Sequence, residues 1–401
     1  MKTNFRNLIL SLALCVPFSA AVASMPAITD VAPGTETLSV SASFVGVDSI
    51  ETLNASSTAR SASSLRPSAA MGKGDFKYSG PLVIKVGARI DYQRDYQQSE
   101  VINENTGFKG NNVMVSIQGN ITERFSYRFR QRINATRENG SFFDGTDYMW
   151  LQYNFNDQWD IRGGRVAIEY GATEYQYDPS QSYILSDFYN YPPCYLFGLN
   201  LGYNVTPNDR LVAQAAESSF RNKANSNLLS YALSWYGNHD WFHTMYSFNA
   251  NAYSKGNYIY YISLGNQFDL NRQVLLNVDL QNRFTGHGSF WKDCTVRGEL
   301  IYMPNDYFKV IGVGVYSVNR SHDLSPNYLA YGTDLTRVGA LVEFMPIPKI
   351  DKLLKIHAGY NYCWGQANAL PETPYQHRHF MSIGLQWEVN VVSLAKKILK
   401  L

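Results

Sequence analysis

Apolar and polar residues alternate along most of the chain after residue 81. The pattern is clear between residues 124 and 133. One set of alternate positions there holds Phe125, Tyr127, Phe129 and Ile133, and the other holds Arg124, Ser126, Arg128, Arg130 and Arg132. Because successive side chains leave a β-strand on opposite faces, this segment predicts a strand with one aromatic face and one arginine face.

About sixteen segments of this kind follow one another to residue 389, and the connections between them alternate in length. The short connections are rich in Gly, Pro, Asn and Asp, as at 156–157, 206–209 and 304–306, which suits tight turns. Most of the others are longer, as at 93–107 and 166–194. An even strand number with alternating short and long connections predicts an all-β fold, a transmembrane antiparallel β-barrel over residues 81–389. It would have short periplasmic turns and longer extracellular loops.

The N-terminal residues predict export. Lys2 and Arg6 precede an apolar stretch that ends in Ala21-Val22-Ala23, which is typical of a signal peptide over residues 1–23. We expect cleavage there and a final location in the outer membrane of a Gram-negative cell. Residues 24–80 are rich in Ser, Ala and Thr and predict a flexible periplasmic leader, or else a small helical or paired segment.

The last residues, 390–401, alternate apolar side chains with lysines in a way that suggests a short amphipathic tail. Such a helix would lie on the inner leaflet of the membrane; a frayed tail is the alternative.

Composition agrees with a barrel and excludes several other classes. The chain contains 29 Tyr, 21 Phe and 7 Trp, and its formal charge of +2 falls to 0 when Lys2 and Arg6 are removed. A neutral chain has no general attraction for nucleic acid, so no such partner is expected. The three cysteines left after cleavage, Cys194, Cys294 and Cys363, are widely spaced, and we expect neither a metal site nor any other cofactor.

The arginine face is the main candidate for function. An Arg or Lys in contact with lipid at the bilayer midplane costs about 2–4 kcal/mol, so these side chains should face a water-filled lumen. The expected pore-lining, anion-binding residues are Lys85, Arg89, Arg124, Arg128, Arg130, Arg132 and Arg162. Small anions would exchange guanidinium partners along such a wall. Alternatively, the arginines pair with acids of a folded loop and only pack the wall.

The connection 166–194 is the longest, and long loops commonly carry function. We expect it to constrict the pore, with its acids facing the basic wall and a tyrosine narrowing the bore. The residues concerned are Glu169, Glu174, Asp178, Tyr183 and Asp187. An ordinary surface cap is the alternative.

Several segments resemble the phosphate-selective porin O/P family. They are "VGARIDYQ", the arginine strand, "DIRGGRVAIEYG" and "LFGLNLGYN" with the following "TPNDRLVAQAA". The resemblance implies a sixteen-stranded porin that assembles as a homotrimer, with a loop-lined constriction and a basic ladder. Arg124, Arg128, Arg130 and Arg132 match the ladder, whereas loop 166–194 contains no lysine to match the family's constriction lysines.

Passive diffusion of small, anionic, hydrophilic solutes is therefore the expected function, with outer-membrane lipid as the surroundings. A surface interaction or structural barrel without transport is one alternative. An outer-membrane enzyme is the other, but the 7 His residues are scattered and no G-x-S-x-G motif accompanies them. We expect no enzymatic activity.

Overall fold

The computed structural model describes residues 82–135, 141–190, 194–221, 226–286, 290–321, 329, 331–348, 354–366 and 377–399. The predicted signal peptide and leader lie outside these residues. In the described part of the chain, no helix is long and apolar enough to cross a membrane.

In the described part of the chain, seventeen strands form one sheet with antiparallel pairing throughout. They are β1 (Val83–Gln97), β2 (Glu100–Val101), β3 (Gly107–Asn120), β4 (Phe125–Arg132), β5 (Thr146–Asn154), β6 (Trp159–Ala167), β7 (Tyr195–Asn204), β8 (Asp209–Glu217), β9 (Leu229–His239), β10 (Phe242–Ser254), β11 (Asn257–Asp269), β12 (Val274–Thr285), β13 (Asp293–Asn305), β14 (Phe308–Asn319), β15 (Asp334–Phe344), β16 (Leu354–Gln366) and β17 (Arg378–Asn390). β2 is a two-residue pairing within the first loop. β1 pairs with β3 on one edge and with β17 on the other, so the sixteen longer strands close into a barrel. The predicted fold class is confirmed.

Helical segments are few and short. The α-helices are α1 (Asp187–Asn190) and α2 (Val391–Leu399), and the 3₁₀ turns are Asn103–Asn105, Ile133–Ala135, Phe142–Asp144, Thr173–Gln176 and Pro179–Gln181. The C-terminal tail is therefore helical over residues 391–399.

The lengths of the connections alternate around the barrel. The connections 155–158, 205–208 and 240–241 are short, whereas 133–145 and 168–194, which leave the opposite end, are long. The first short turn spans residues 121–124, and Asn120 before it still pairs with Ser126 after it. The threonine hydroxyl of Thr122 accepts hydrogen bonds from the backbone N–H groups that follow it and closes this turn.

The two faces of the barrel differ as the alternation predicts. On β4, Phe125 is 40% exposed on the outside, while Arg130 is 1% exposed within. Aromatic side chains pair on the outside close to the short turns, as a girdle at the membrane interface does. These pairs are Phe125–Tyr153, Trp159–Tyr203, Phe242–Phe268 and Phe308–Phe344, with ring centroids 4.4–5.1 Å apart.

The main apolar core lies inside the barrel, where the long loop 168–194 packs against the wall. Tyr170, Tyr175 and Phe188 of the loop cluster with Ile259 and Tyr261 of β11.

Close backbone approach makes the packing of the loop possible. A β-carbon at Gly265 would lie 2.9 Å from the backbone nitrogen of Thr173, and one at Gly171 would lie 2.5 Å from the backbone nitrogen of Ser247. Glycine at these two positions therefore leaves the room that the inward loop occupies.

Candidate solute pathway

Loop 168–194 enters the lumen and is held there by Asp279 of β12. The carboxylate of Asp279 accepts hydrogen bonds from the N–H of Thr173 at 2.7 Å, from its hydroxyl at 2.6 Å and from the N–H of Glu174 at 3.2 Å. All three residues are buried. Charge-assisted bonds of this kind are stronger than bonds between neutral groups, so Asp279 is a firm attachment point.

Glu174 organises the interior of the loop. Its carboxylate accepts bonds from the hydroxyl of Ser186 at 2.5 Å, from the N–H of Ser186 at 3.0 Å and from Gln281 at 2.9 Å. Arg297 of β13 lies 3.6 Å from Glu174 and 2.7 Å from Glu299. Glu174 was predicted to face the arginine row, but it lies against β12 and β13 instead.

The other acids predicted in the loop also have specific partners. Asp178 accepts bonds from the N–H of Ser180 at 3.0 Å and from its hydroxyl at 2.7 Å, so it shapes its own turn. Asp187 pairs with Arg337 of β15 at 2.8 Å. Glu169 contacts the Tyr236 hydroxyl and accepts a bond from Asn200 at 2.7 Å. Burial raises the pKa of the Glu169 carboxyl above its ordinary value.

Tyr183 is the loop tyrosine closest to the predicted basic residues. Its ring lies 4.1 Å from the guanidinium carbon of Arg89 and 4.7 Å from the ring of His357. Arg89 pairs with Asp91 at 2.8 Å and also donates to the carbonyl of Ser182 at 3.1 Å. These contacts attach residues 182–183 of the loop to β1 and β16.

The arginine row of β4 shares one carboxylate that the sequence analysis did not assign. Asp147 accepts from Nε of Arg130 at 2.8 Å and from Nε of Arg132 at 2.8 Å. Arg128 lies over the ring of Tyr148, 4.3 Å from its centroid. The β4–β5 register shifts next to Arg130, which makes Asp147 the extra residue of a bulge and turns it inward.

The remaining predicted cations lie in three settings. Lys85 pairs with Glu388 at 3.1 Å. Arg162 donates to Gln152 at 2.9 and 3.0 Å and lies 4.8 Å from the Trp150 ring. Arg124 falls in the exposed turn before β4, away from the row.

Arg162 also lines a small cavity. The other residues that line it are Asp160, Glu169, Asn200, Arg210, Val212 and Tyr236. Arg210 pairs with Asp160 there at 2.7 Å, and both Arg162 and Lys85 are partly exposed, unlike the buried row.

Opposite walls of the barrel differ in charge. At the β4–β5 wall, Arg130 and Arg132 share Asp147, whereas at the β12–β13 wall the carboxylates of Asp279 and Glu299 and the loop carboxylate of Glu174 surround Arg297. β4 and β12 are eight strands apart in the closed set of sixteen, so the two walls face each other.

The sequence match agrees with this architecture. The family model described as "Phosphate-selective porin O and P" matches residues 84–281, which include the β4–β5 wall, loop 168–194 and Asp279. Over these residues the chain resembles this porin family. The match and the closed barrel together support an outer-membrane porin, a kind of protein through which small solutes pass. No curated protein matches the chain.

Solved structures share the fold at low identity. A loop L8 deletion mutant of OmpT, an outer membrane protein of Vibrio cholerae, is 11% identical with a TM-score of 0.54; the match covers 78% of this chain and 100% of that one. The outer membrane channel DcaP of Acinetobacter baumannii is 8% identical, with a TM-score of 0.53 over 78% and 99% of the two chains. An anion-selective porin from Comamonas acidovorans is 6% identical, with a TM-score of 0.52 over 77% and 99%. These likenesses show the barrel fold.

Proposed function

We propose that this porin passes small hydrophilic solutes and prefers anions. The observation that carries the proposal is the β4–β5 wall, where Arg130 and Arg132 pair with Asp147 and Arg128 lies over the ring of Tyr148. Three guanidinium groups therefore follow one another along the inner face of one strand. A wall of one sign in a low-dielectric surround raises the local concentration of the opposite ion.

The buried arginine row of β4 would attract anions through its electrostatic field, whereas the partly exposed cations would bind them by direct contact. Arg130 is 1% exposed, so a solute does not touch it directly. Lys85 and Arg162 are more accessible and would offer ammonium and guanidinium donors to a passing carboxylate or phosphate. Charge selection of this kind by a ring or wall of Arg and Lys is a general means of anion selectivity in pores.

The anion-selective porin from Comamonas acidovorans has the same fold, which is compatible with this proposal. We also propose the homotrimer that the family resemblance implies. Native mass spectrometry of the purified protein in detergent would test the trimer, and a monomeric mass would contradict it.

Liposome swelling tests the function with three solutes of similar size. Glucose, gluconate and protonated glucosamine carry charges of 0, −1 and +1, so differences in rate report charge selection. We expect gluconate to enter proteoliposomes faster than glucosamine, with glucose between or near gluconate. Faster entry of glucosamine would contradict the anion preference.

A barrel closed by its own loop is the second candidate. It is favoured by the many attachments of loop 168–194, which bonds to strands on several sides of the lumen, including β1, β10, β12 and β15. In that case none of the three solutes would cause swelling, although the protein would reconstitute normally. Swelling with any of them would exclude the closed barrel.

A further inference from the structure

A polar group interrupts the apolar outer face of the barrel near its loop-bearing end. On β1 the alternation turns Asp95 inward, where it is fully buried, and turns Arg94 and Tyr96 outward. Arg94 is exposed and lies three residues before Gln97, about 10 Å from the end of the strand. It therefore lies on the lipid side of the barrel, close to the outer interface of the membrane.

Two histidines of the adjoining segment lie on the same face. The hydroxyl of Tyr360 is 2.7 Å from Nδ1 of His379, and the hydroxyl of Tyr362 is 2.8 Å from Nδ1 of His377. With Nδ1 occupied in both rings, Nε2 is the nitrogen left for another partner. Within the described part of the chain, neither Nε2 makes a hydrogen bond.

The strand pairing brings these groups next to Arg94. Tyr96 is directly opposite His379 in the β1–β17 ladder, and Arg94 is opposite Met381, so Arg94 and His379 are diagonal neighbours on one face. Arg94 lies 5.5 Å from the ring of Tyr96, and among the described residues its guanidinium makes no ion pair.

The charge of this face is of one sign. In the parts described, the outward positions of β16, β17 and β1 hold no Asp or Glu. Arg94 is the residue among them whose side chain is always charged. A second copy that presented the same face would bring no acid from the described outward positions to Arg94. An anion is the partner that this surface fits.

We propose that the outer face of β16, β17 and β1 binds a phosphorylated glycolipid of the outer leaflet. The long loops mark the extracellular end of the barrel, so the headgroups of that leaflet lie at the depth of Arg94. The guanidinium matches two phosphate oxygens, and the Nε2–H of each histidine supplies a further donor. The rings of Tyr96 and Tyr362 cover the apolar side of the headgroup.

The test uses the purified full-length porin and native mass spectrometry in detergent. The probes are diphosphorylated lipid A and the same lipid without its phosphates. The variants are R94Q, R94K and H379Q, with R272Q, an exposed arginine in the short turn at the opposite end, as the matched control. We expect R94Q to weaken retention of the diphosphorylated lipid about fivefold, as one charge near a membrane surface does. R94K and R272Q should retain it.

Three results would overturn the proposal: equal binding of the phosphate-free lipid by the unchanged protein, equal losses in R94Q and R272Q, or a change of oligomeric mass in R94Q without a change in lipid binding. The last would assign the face to contact between copies of the chain. If R94Q does not form heat-resistant barrels, H379Q gives the same comparison, since it removes an Nε2 donor and leaves Arg94 in place.

Discussion

The β4–β5 wall and the β12–β13 wall both bury arginine, but the balance of charge is opposite. On the first, Arg130 and Arg132 share Asp147 and Arg128 lies over Tyr148; on the second, Arg297 lies among Asp279, Glu299 and Glu174. The acid-rich wall uses its carboxylates to hold the loop, since Asp279 accepts three bonds from it.

The arginines of the cation-rich wall are held by neighbouring strand residues. Arg130 and Arg132 are held by a strand residue, Asp147, and Arg128 and Arg130 lie over Tyr148 of the same strand. Buried arginine therefore has different surroundings on the two walls: it takes part in loop attachment on one and, in the function that we propose, supplies a positive field on the other. The extent of burial does not distinguish the arginines of the two walls, whereas their bonding partners do.

The largest expected effect comes from removing the shared acid of the cation-rich wall. Asp147→Asn keeps the shape but removes a buried charge that pairs with Arg130 and Arg132, and breaking a buried pair in this way costs about 3–5 kcal/mol. We expect the free energy of unfolding in lipid vesicles, measured by urea titration, to fall by that order. Asp157→Asn, in an exposed turn, should change it by less than about 0.5 kcal/mol. A loss as small in Asp147→Asn as in the control would mean that the wall is not held by charge.

A charge placed on the outside of the same strand should be costly too. Phe129 alternates with the arginines and faces outward, next to Phe142. Phe129→Arg would place a cation in lipid, at about 2–4 kcal/mol near the midplane. We expect reduced folding yield by heat-modifiability on gels, whereas Phe129→Leu folds normally. Normal assembly of Phe129→Arg would reverse the assignment of the two faces.

The acid-rich wall is tested by Asp279→Asn. This change removes the charge that strengthens the bonds to Thr173 and Glu174, and hydrogen bonds to charged groups contribute about 1.5–3 kcal/mol. We expect the loop to loosen and single-channel conductance to rise or fluctuate, with the barrel still folded. Thr173→Val, which removes one of the three donors, should give a smaller change in the same direction. Steady, unchanged conductance in both variants would show that Asp279 does not hold the loop in the conducting state.

The strands could be predicted from the sequence because their pattern is local. Alternation over about ten residues predicted both faces of β4 and placed Arg128, Arg130 and Arg132 on the inner side. The predicted strand began at Arg124, whereas β4 begins at Phe125, so Arg124 was counted with the arginine row although it lies in the turn.

The partners could not be predicted, because they depend on contacts between distant segments. Thr173 and Asp279 are 106 residues apart in the chain. Asp147 turns inward only because of a bulge beside Arg130. No local sequence pattern indicates which residue near the start of a strand will be the extra residue of a bulge. The sequence thus supplied candidates for the pathway, and the register of the strands decided which charges meet.

The most direct test of the anion preference is the reversal potential in planar bilayers under a tenfold KCl gradient. Arg162 lines the cavity and is more accessible than the row, so its charge should be felt by passing ions without a folding defect when it is replaced. We predict an anion-selective sign for the unchanged porin and a shift toward cations in Arg162→Gln. The shift should shrink at high salt, where the Debye length falls to about 3 Å at 1 M. Arg272→Gln, at the exposed turn, should leave the potential unchanged. A cation-selective unchanged porin, or no shift in Arg162→Gln, would contradict the account.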